Sequence, residues 1–379
     1  MDALERNLRR WQDAQLIDSA TVERILQFEQ ETGKRRRWPA ILAIGFGTLM
    51  LCAGVLLFVA AHWDNLAPAS RFTLVLLLVA VFHLAASLLG SKVESVGVAL
   101  HFAGTAALGA GIFLAGQVFN LEEHWPSGLL LWAIGAVLAW VVLRQWPQAL
   151  LAALLIPAWL GGEWEVASER YFGAWNIAAQ GFLLLAIFYM SVPLKDRNRH
   201  LRLALIWVGA VSLLPFLGDV IETARTYSYY SNWDHRTAVP LSGAVFGYSV
   251  AYLPILIFAV IVRKRDSVWM FGAAIWVYLL TVISRHDYVE KNVWLFVWLA
   301  VGACGLCLRG VLDNRKLFIN YGIAIFSLTV IGFYFSEVLD KLGRSMGLIL
   351  FGVIFLAGGW VLLRLRTSLI ARATAGGTQ

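Results

Sequence analysis

Long apolar blocks and short polar breaks alternate along the chain. Twelve blocks lie near residues 39–61, 71–90, 95–117, 127–143, 147–162, 171–192, 201–218, 241–262, 267–284, 292–309, 317–336 and 345–365. A helix needs roughly 20 apolar residues to cross about 30 Å of hydrocarbon. A backbone in lipid must satisfy its own hydrogen bonds, so such blocks are helices. The pattern predicts an all-α, polytopic transmembrane helix bundle of about 12 spans. The fifth block is short and carries Pro157 and Gly161-Gly162. A re-entrant loop there would invert everything after it.

The N-terminal segment reads differently. Leu4, Leu8 and Trp11 repeat at helical spacing, and Asp18 and Ser19 can cap a second helix carrying Val22, Ile25, Leu26 and Glu29. Gly33 ends it. Residues 1–37 are expected to form a cytoplasmic amphipathic helix pair, 38–366 the transmembrane domain and 367–379 a flexible cytoplasmic tail. A helix pair of this size is too small for its own core. It is expected to dock on the membrane domain, on a second copy or on a protein partner.

Charge orients the bundle. With all twelve blocks spanning and the N-terminus inside, the inner segments hold Lys34 to Arg37, Lys92, Arg144, Lys195, Arg197, Arg199, Arg202, Arg263 to Arg265, Arg309, Arg315, Lys316, Arg364, Arg366 and Arg372. Every strongly basic loop falls on that face, on both sides of the fifth block. The positive-inside rule therefore favours twelve spans over eleven, with both termini cytoplasmic. Tryptophans at block ends, among them Trp38, Trp63, Trp125, Trp146, Trp175, Trp269 and Trp294, suit the headgroup level. His62-Trp63-Asp64-Asn65 after the first block and Asn232-Trp233-Asp234-His235 after the seventh raise a six-plus-six repeat, 38–192 and 201–366.

Composition changes the picture only at the edges. Of the 379 residues, 59% are apolar and 15% charged, against about 45–50% and about 25% in soluble chains. The net charge of +7 flanks apolar blocks, so anionic lipid headgroups account for it better than nucleic acid. Membrane lipids are the expected partners.

Candidate chemistry is sparse. Ala99, Ala103, Ala107, Gly111 and Ala115 recur every four residues in the third block, a small-residue row for close packing or for sliding. Gln117, Asn120, Glu122 and His124 follow, and with His62 and Asp64 they could line an outward vestibule; a plain helix end with interhelical hydrogen bonds is the simpler reading. His83 and His101 each lie nine residues from Lys92 on opposite arms of a hairpin, at similar depth. A hydrogen-bonded pair, no contact at all, a proton relay or a metal site are the readings; no carboxylate accompanies them, so a metal would lack ligands. Outer acids and histidines, including Glu163, Glu165, Asp234, His286 and Asp287, lack a fixed catalytic spacing such as HExxH. Asp219 and Glu222, just beyond Pro215 and Gly218, and Asn320 are the nearest membrane-buried polar candidates. Cys304-Gly-Leu-Cys307 has no second ligand pair and reads as small buried residues. No catalytic residue, metal site or cofactor motif is indicated.

Short motifs carry a resemblance. They are Trp11-Gln-Asp-Ala-Gln-Leu-Ile17, Phe28-Glu29, Trp38, Ala61-His-Trp-Asp64, Gly109-Ala-Gly-Ile112 with Gly116-Gln117, then Asn320-Tyr-Gly322, Tyr334-Phe335 and Gly343-Arg-Ser345. Together they resemble the bacterial DUF2157 family of predicted multi-pass membrane proteins, most clearly over residues 1 to about 145. The resemblance implies a bacterial inner-membrane location and no activity. Where relatives often show Asn before Trp-Asp, this chain has His62. Three functions follow from the residues: a transporter or flippase-like carrier of a small or lipidic substrate, a non-catalytic scaffold docking through residues 1–37, and a membrane enzyme with an outer-face polar site.

Overall fold

The computed structural model describes residues 67–118 except Lys92, 124–193, 198–230, 237–287 and 293–335, with stretches within 8–57 and Gly352. Of the first and twelfth apolar blocks only scattered positions are described, and His62, Asp64, Asn120 and Glu122 lie outside the described residues. Ten helices follow in order: α1 (Pro68–Gly90), α2 (Glu94–Val118), α3 (Pro126–Leu143), α4 (Trp146–Ser168), α5 (Trp175–Met190), α6 (Arg199–Tyr230), α7 (Leu241–Arg263), α8 (Val268–Asp287), α9 (Val293–Leu312) and α10 (Lys316–Phe333). Among the described residues nine are long and apolar enough to cross a membrane. The protein is an all-α helical membrane protein; among the described residues the exception is small. Tyr171–Phe172 and Thr237–Ala238 form a two-residue parallel strand pair, β1 and β2.

Three element ends depart from the expected blocks. α4 is one helix of 23 residues running through Pro157 and past Gly161-Gly162 to Ser168. The fifth block therefore has the length of a full span. α6 continues through Pro215 to Tyr230, 32 residues in all, so Asp219 and Glu222 are helical and not part of a loop beyond it. Proline removes one backbone hydrogen bond, whereas ending a helix in lipid strands several; continuing costs less. The sixth block is the short one. α5 has only 16 residues, about 24 Å at 1.5 Å per residue. Ala179, Leu183, Leu184 and Ala186 on it are almost fully buried, and it packs on α6, α7 and α8.

The chain divides into two compact units, Met1–Ile156 and Pro157–Gln379. In the first, α1 and α2 form a tight antiparallel hairpin with α3 beside α2. The expected small-residue row of α2 is not one face. Four residues advance about 400°, so each step turns the row by about 40° and Ala99 to Ala115 winds through about 160°. Close approach to α1 instead runs through Gly97, Gly104 and Gly111, spaced by seven, a row that drifts only about 20° per step. A Cβ at Gly97 would meet Gly90 Cα at 2.6 Å, one at Gly104 the His83 ring at 2.8 Å, and one at Gly111 Val75 Cγ1. Gly109 gives room to the Trp132 ring of α3, whose indole N–H donates to the Thr105 carbonyl at 2.9 Å. Near the N-terminus, Leu8 is buried but Trp11 is exposed. Helical residues 10–12 turn through Gln15, at φ 56°, into a second helical stretch at 19–25. Asp18 caps it as expected: its Oδ1 accepts the Thr21 N–H at 3.2 Å.

In the second unit, three helix connections meet at one end. The Arg315 guanidinium, ahead of α10, donates to the carbonyls of Met190 and Val192 at the end of α5. Arg202 of α6 donates to the Pro193 carbonyl at 2.6 Å. Ser191 reaches Met270 of α8, and Arg309 lies 5.5 Å over the Trp269 ring. Arg309 Nε stands 2.8 Å from Asp313 Oδ2 without its N–H aimed at that oxygen, so the contact is an ion pair. Burial lowers the pKa of Arg315, and Asp313 opposes that shift. Cations on the last carbonyls of α5 also suit its dipole. Elsewhere, α8 and α9 are joined by reciprocal indole bonds: Trp276 Nε1 donates to the Trp298 carbonyl and Trp298 Nε1 to the Trp276 carbonyl, both at 3.0 Å.

Two glycines of α6 make a controlled pair. A Cβ on Gly209 would meet Met190 N at 2.3 Å and Ala186 O at 2.5 Å; on Gly218 it would meet nothing within 4 Å. Gly209→Ala is expected to destabilise by about 1–3 kcal/mol, because backbone cannot move aside. Gly218→Ala should stabilise by about 0.5–1 kcal/mol. Thermal unfolding in detergent reads both. A second outcome concerns acid. The hydrogen bond with Thr21 holds the Asp18 carboxyl below its ordinary value of 3.8. The cap therefore stabilises residues 19–25 above that value and loses its effect as pH falls through the lowered one. Amide exchange of Val22 should accelerate over that acidic window.

Candidate functional site

Polar side chains inside apolar helices mark the places where function is most economically sought. Two constellations stand out, one in each unit.

The first is His83 of α1 and His101 of α2. Their Nδ1 atoms are 2.8 Å apart, with ring centroids at 5.1 Å and planes tilted by 39°. His101 is 8% exposed and His83 partly buried. The hairpin explains the meeting. Each residue stands seven positions from its helix end, about 10 Å into the bundle. Gly104 opposite His83 leaves room for the ring. A 2.8 Å separation requires one Nδ1–H donor and one bare Nδ1 acceptor, hence opposite tautomers. Among the described residues, no group of three or more His, Cys, Asp or Glu is arranged to hold a metal ion.

The second is a hydrogen-bonded chain across α7, α5 and α6. The Tyr252 hydroxyl donates to Gln180 Oε1 at 2.7 Å. Gln180 Nε2 donates to Asn176 Oδ1 at 2.8 Å. Asn176 Nδ2 donates to Thr223 Oγ1 at 2.8 Å and to the Val220 carbonyl at 3.2 Å. The Thr223 hydroxyl donates to the Asp219 carbonyl at 2.6 Å. Every link points the same way, so each polarises the next. Asn176 and Gln180 are fully buried, and the network fixes the orientation of both amides. Beside the chain, Trp175 Nε1 donates to Asp219 Oδ2 at 3.2 Å, and Tyr248 meets Tyr252 and Tyr278 edge-on.

The other candidates are placed less centrally. Gln117 ends α2 and His124 is exposed ahead of α3. Ala107 is half-buried on α2, and Gly111 is filled by Val75. Glu222 and Asn320 are exposed on α6 and α10. Cys304 and Cys307 are free thiols, the second within 3.8 Å of the Ile319 carbonyl. The sequence pattern singled out neither Asn176 nor Gln180 as a site residue. Their signal was available: two amides four residues apart, on one helical face of an apolar block.

Comparison with known proteins adds one finding. Residues 9–149 match the model of the DUF2157 family, described as predicted membrane protein. No curated protein and no solved structure matches the chain. The DUF2157 match takes in α1, α2, α3 and the His83–His101 pair and ends in the first turn of α4. The hydrogen-bonded chain of α5, α6 and α7 lies outside it.

Tyr252→Phe leaves Gln180 Oε1 without its donor and should cost about 0.5–2 kcal/mol. Gln180→Leu takes the acceptor from the Tyr252 hydroxyl and the Nε2 donor from Asn176 Oδ1. In a double-mutant cycle the pair should cost less than the sum of the singles, read by thermal unfolding in detergent.

Proposed function

We propose that the chain is a multi-pass carrier of a small or lipidic substrate in a bacterial inner membrane, with twelve spans and both termini cytoplasmic. The basic turns that gather at one end of the second unit, around Arg202, Arg309 and Arg315, support that orientation, since positive loops stay inside. The observation that carries the reading is the chain Tyr252–Gln180–Asn176–Thr223. Amides and hydroxyls in a lipid-embedded core suit a cargo recognised by hydrogen bonds, uncharged in its buried part. In the first unit, Gln117, Asn120, Glu122 and His124, with His62 and Asp64, are proposed separately as substrate-path residues.

A scaffold role has its own supporting observation. Trp11 is 39% and Leu16 72% exposed on the N-terminal helical segment, an apolar surface suited to a partner or a second copy.

Proteoliposomes separate the readings. Wild-type protein should speed either the flipping of a fluorescent phosphatidylethanolamine or the entry of glycerol over protein-free vesicles, and Gln180→Leu should lower that rate. If neither probe moves faster than in empty vesicles, the carrier reading is lost. A growth defect reproduced by deleting residues 1–37 alone would favour the scaffold.

A further inference from the structure

We propose that His83 and His101 form a membrane-embedded site that binds and passes a single proton between α1 and α2. The 2.8 Å Nδ1–Nδ1 separation decides between the two ligands an imidazole pair can take. Two nitrogens bound to one zinc at about 2.0–2.1 Å in tetrahedral geometry stand about 3.3 Å apart. The observed pair is closer than that and matches an N–H···N hydrogen bond. A metal would also need further ligands, and among the described residues none gather there.

Proton balance follows from the tautomers. The donor ring holds hydrogen on Nδ1 and has a bare Nε2. The acceptor ring has a bare Nδ1 and holds hydrogen on Nε2. An incoming proton, supplied by water, binds the bare Nε2. The resulting imidazolium keeps its Nδ1–H···Nδ1 bond, now charge-assisted and stronger. The shared hydrogen crosses to the second Nδ1, and the second ring releases its Nε2 hydrogen to water. Only N–H bonds form and break: one proton enters and one leaves. The pair is left with its polarity reversed, so the next proton travels back. This is an exchange site, holding one proton at a time, rather than a continuous wire.

Along α1, α2 and α3 the pair is the titratable feature farthest from the helix ends. α1 carries no other titratable residue after Arg71, α2 none between Glu94 and Val118 apart from His101, and α3 none from Pro126 to Leu143. Glu94 stands two turns away, at the helix start. A Cβ at Gly104 would meet His83 Nε2 at 2.8 Å, so the tip of that ring packs on α2, and the Thr105 hydroxyl donates to the His101 carbonyl at 3.2 Å and not to a ring nitrogen. The proposal does not rest on the carrier reading.

Nitrogen-15 histidine spectra of the full-length protein in lipid nanodiscs test it, with His83→Gln or His101→Gln assigning the signals; one variant that folds suffices. At about pH 8 the pair should show opposite tautomers and a coupling across the N–H···N bond. Acidification should add one proton to the pair while the coupling persists. Three results would overturn the proposal: both rings as Nε2–H tautomers without coupling, two protons taken up together as by two independent rings, or loss of the coupling on adding zinc at neutral pH.

Discussion

Hydrocarbon accepts no hydrogen bonds and offers helices no hydrophobic reason to associate. Most polar groups therefore find a partner inside the protein, Gln148 and Ser284 being buried exceptions, and cohesion must come from close backbone contact. The hydroxyls answer by turning onto their own helices. Thr73, Ser87, Thr105, Ser212, Ser249, Ser327 and Thr329 all donate to the carbonyl four residues back. Indoles go further and bind carbonyls of neighbouring helices, as Trp132 does on Thr105. Cohesion comes from glycine: Gly97 against Gly90, Gly209 against Met190, and Gly322 against Ala303 and Cys307 leave no space for a methyl.

Within that constraint the two polar constellations are unlike. Tyr252, Gln180, Asn176 and Thr223 are satisfied in one direction only, a line of dipoles that tie three helices around the short α5. The histidine pair has two equivalent arrangements of the same atoms, since either ring can be the donor. The first is a fixed structure; the second is a degree of freedom inside the membrane.

Helix type was legible in the sequence. Lys92 marks a two-armed hairpin, and residues equidistant from the turn must share a level, so the meeting of His83 and His101 was foreseeable. Asp18 was legible as a cap because capping is local. Contact faces were harder. A four-residue row looks regular in print but winds around a helix, while the spacing of Gly97, Gly104 and Gly111 follows the seam. The reach of α6 past residue 218 was hidden for a different reason: Asp219 and Glu222 read as the end of an apolar block, whereas lipid makes a broken helix the worse alternative. The amide pair on α5 lay at the start of an apolar block, where polarity is expected at a helix end.

The mutual indole bonds between Trp276 and Trp298 have a mechanical consequence. Each ring is latched to the backbone from which the other ring grows, so a slip of α8 along α9 by one residue, about 1.5 Å, breaks both latches together. Gly302 beneath the Trp276 ring seats the joint. The two helices are thus geared as one lever, and any large rearrangement of this unit must pivot elsewhere.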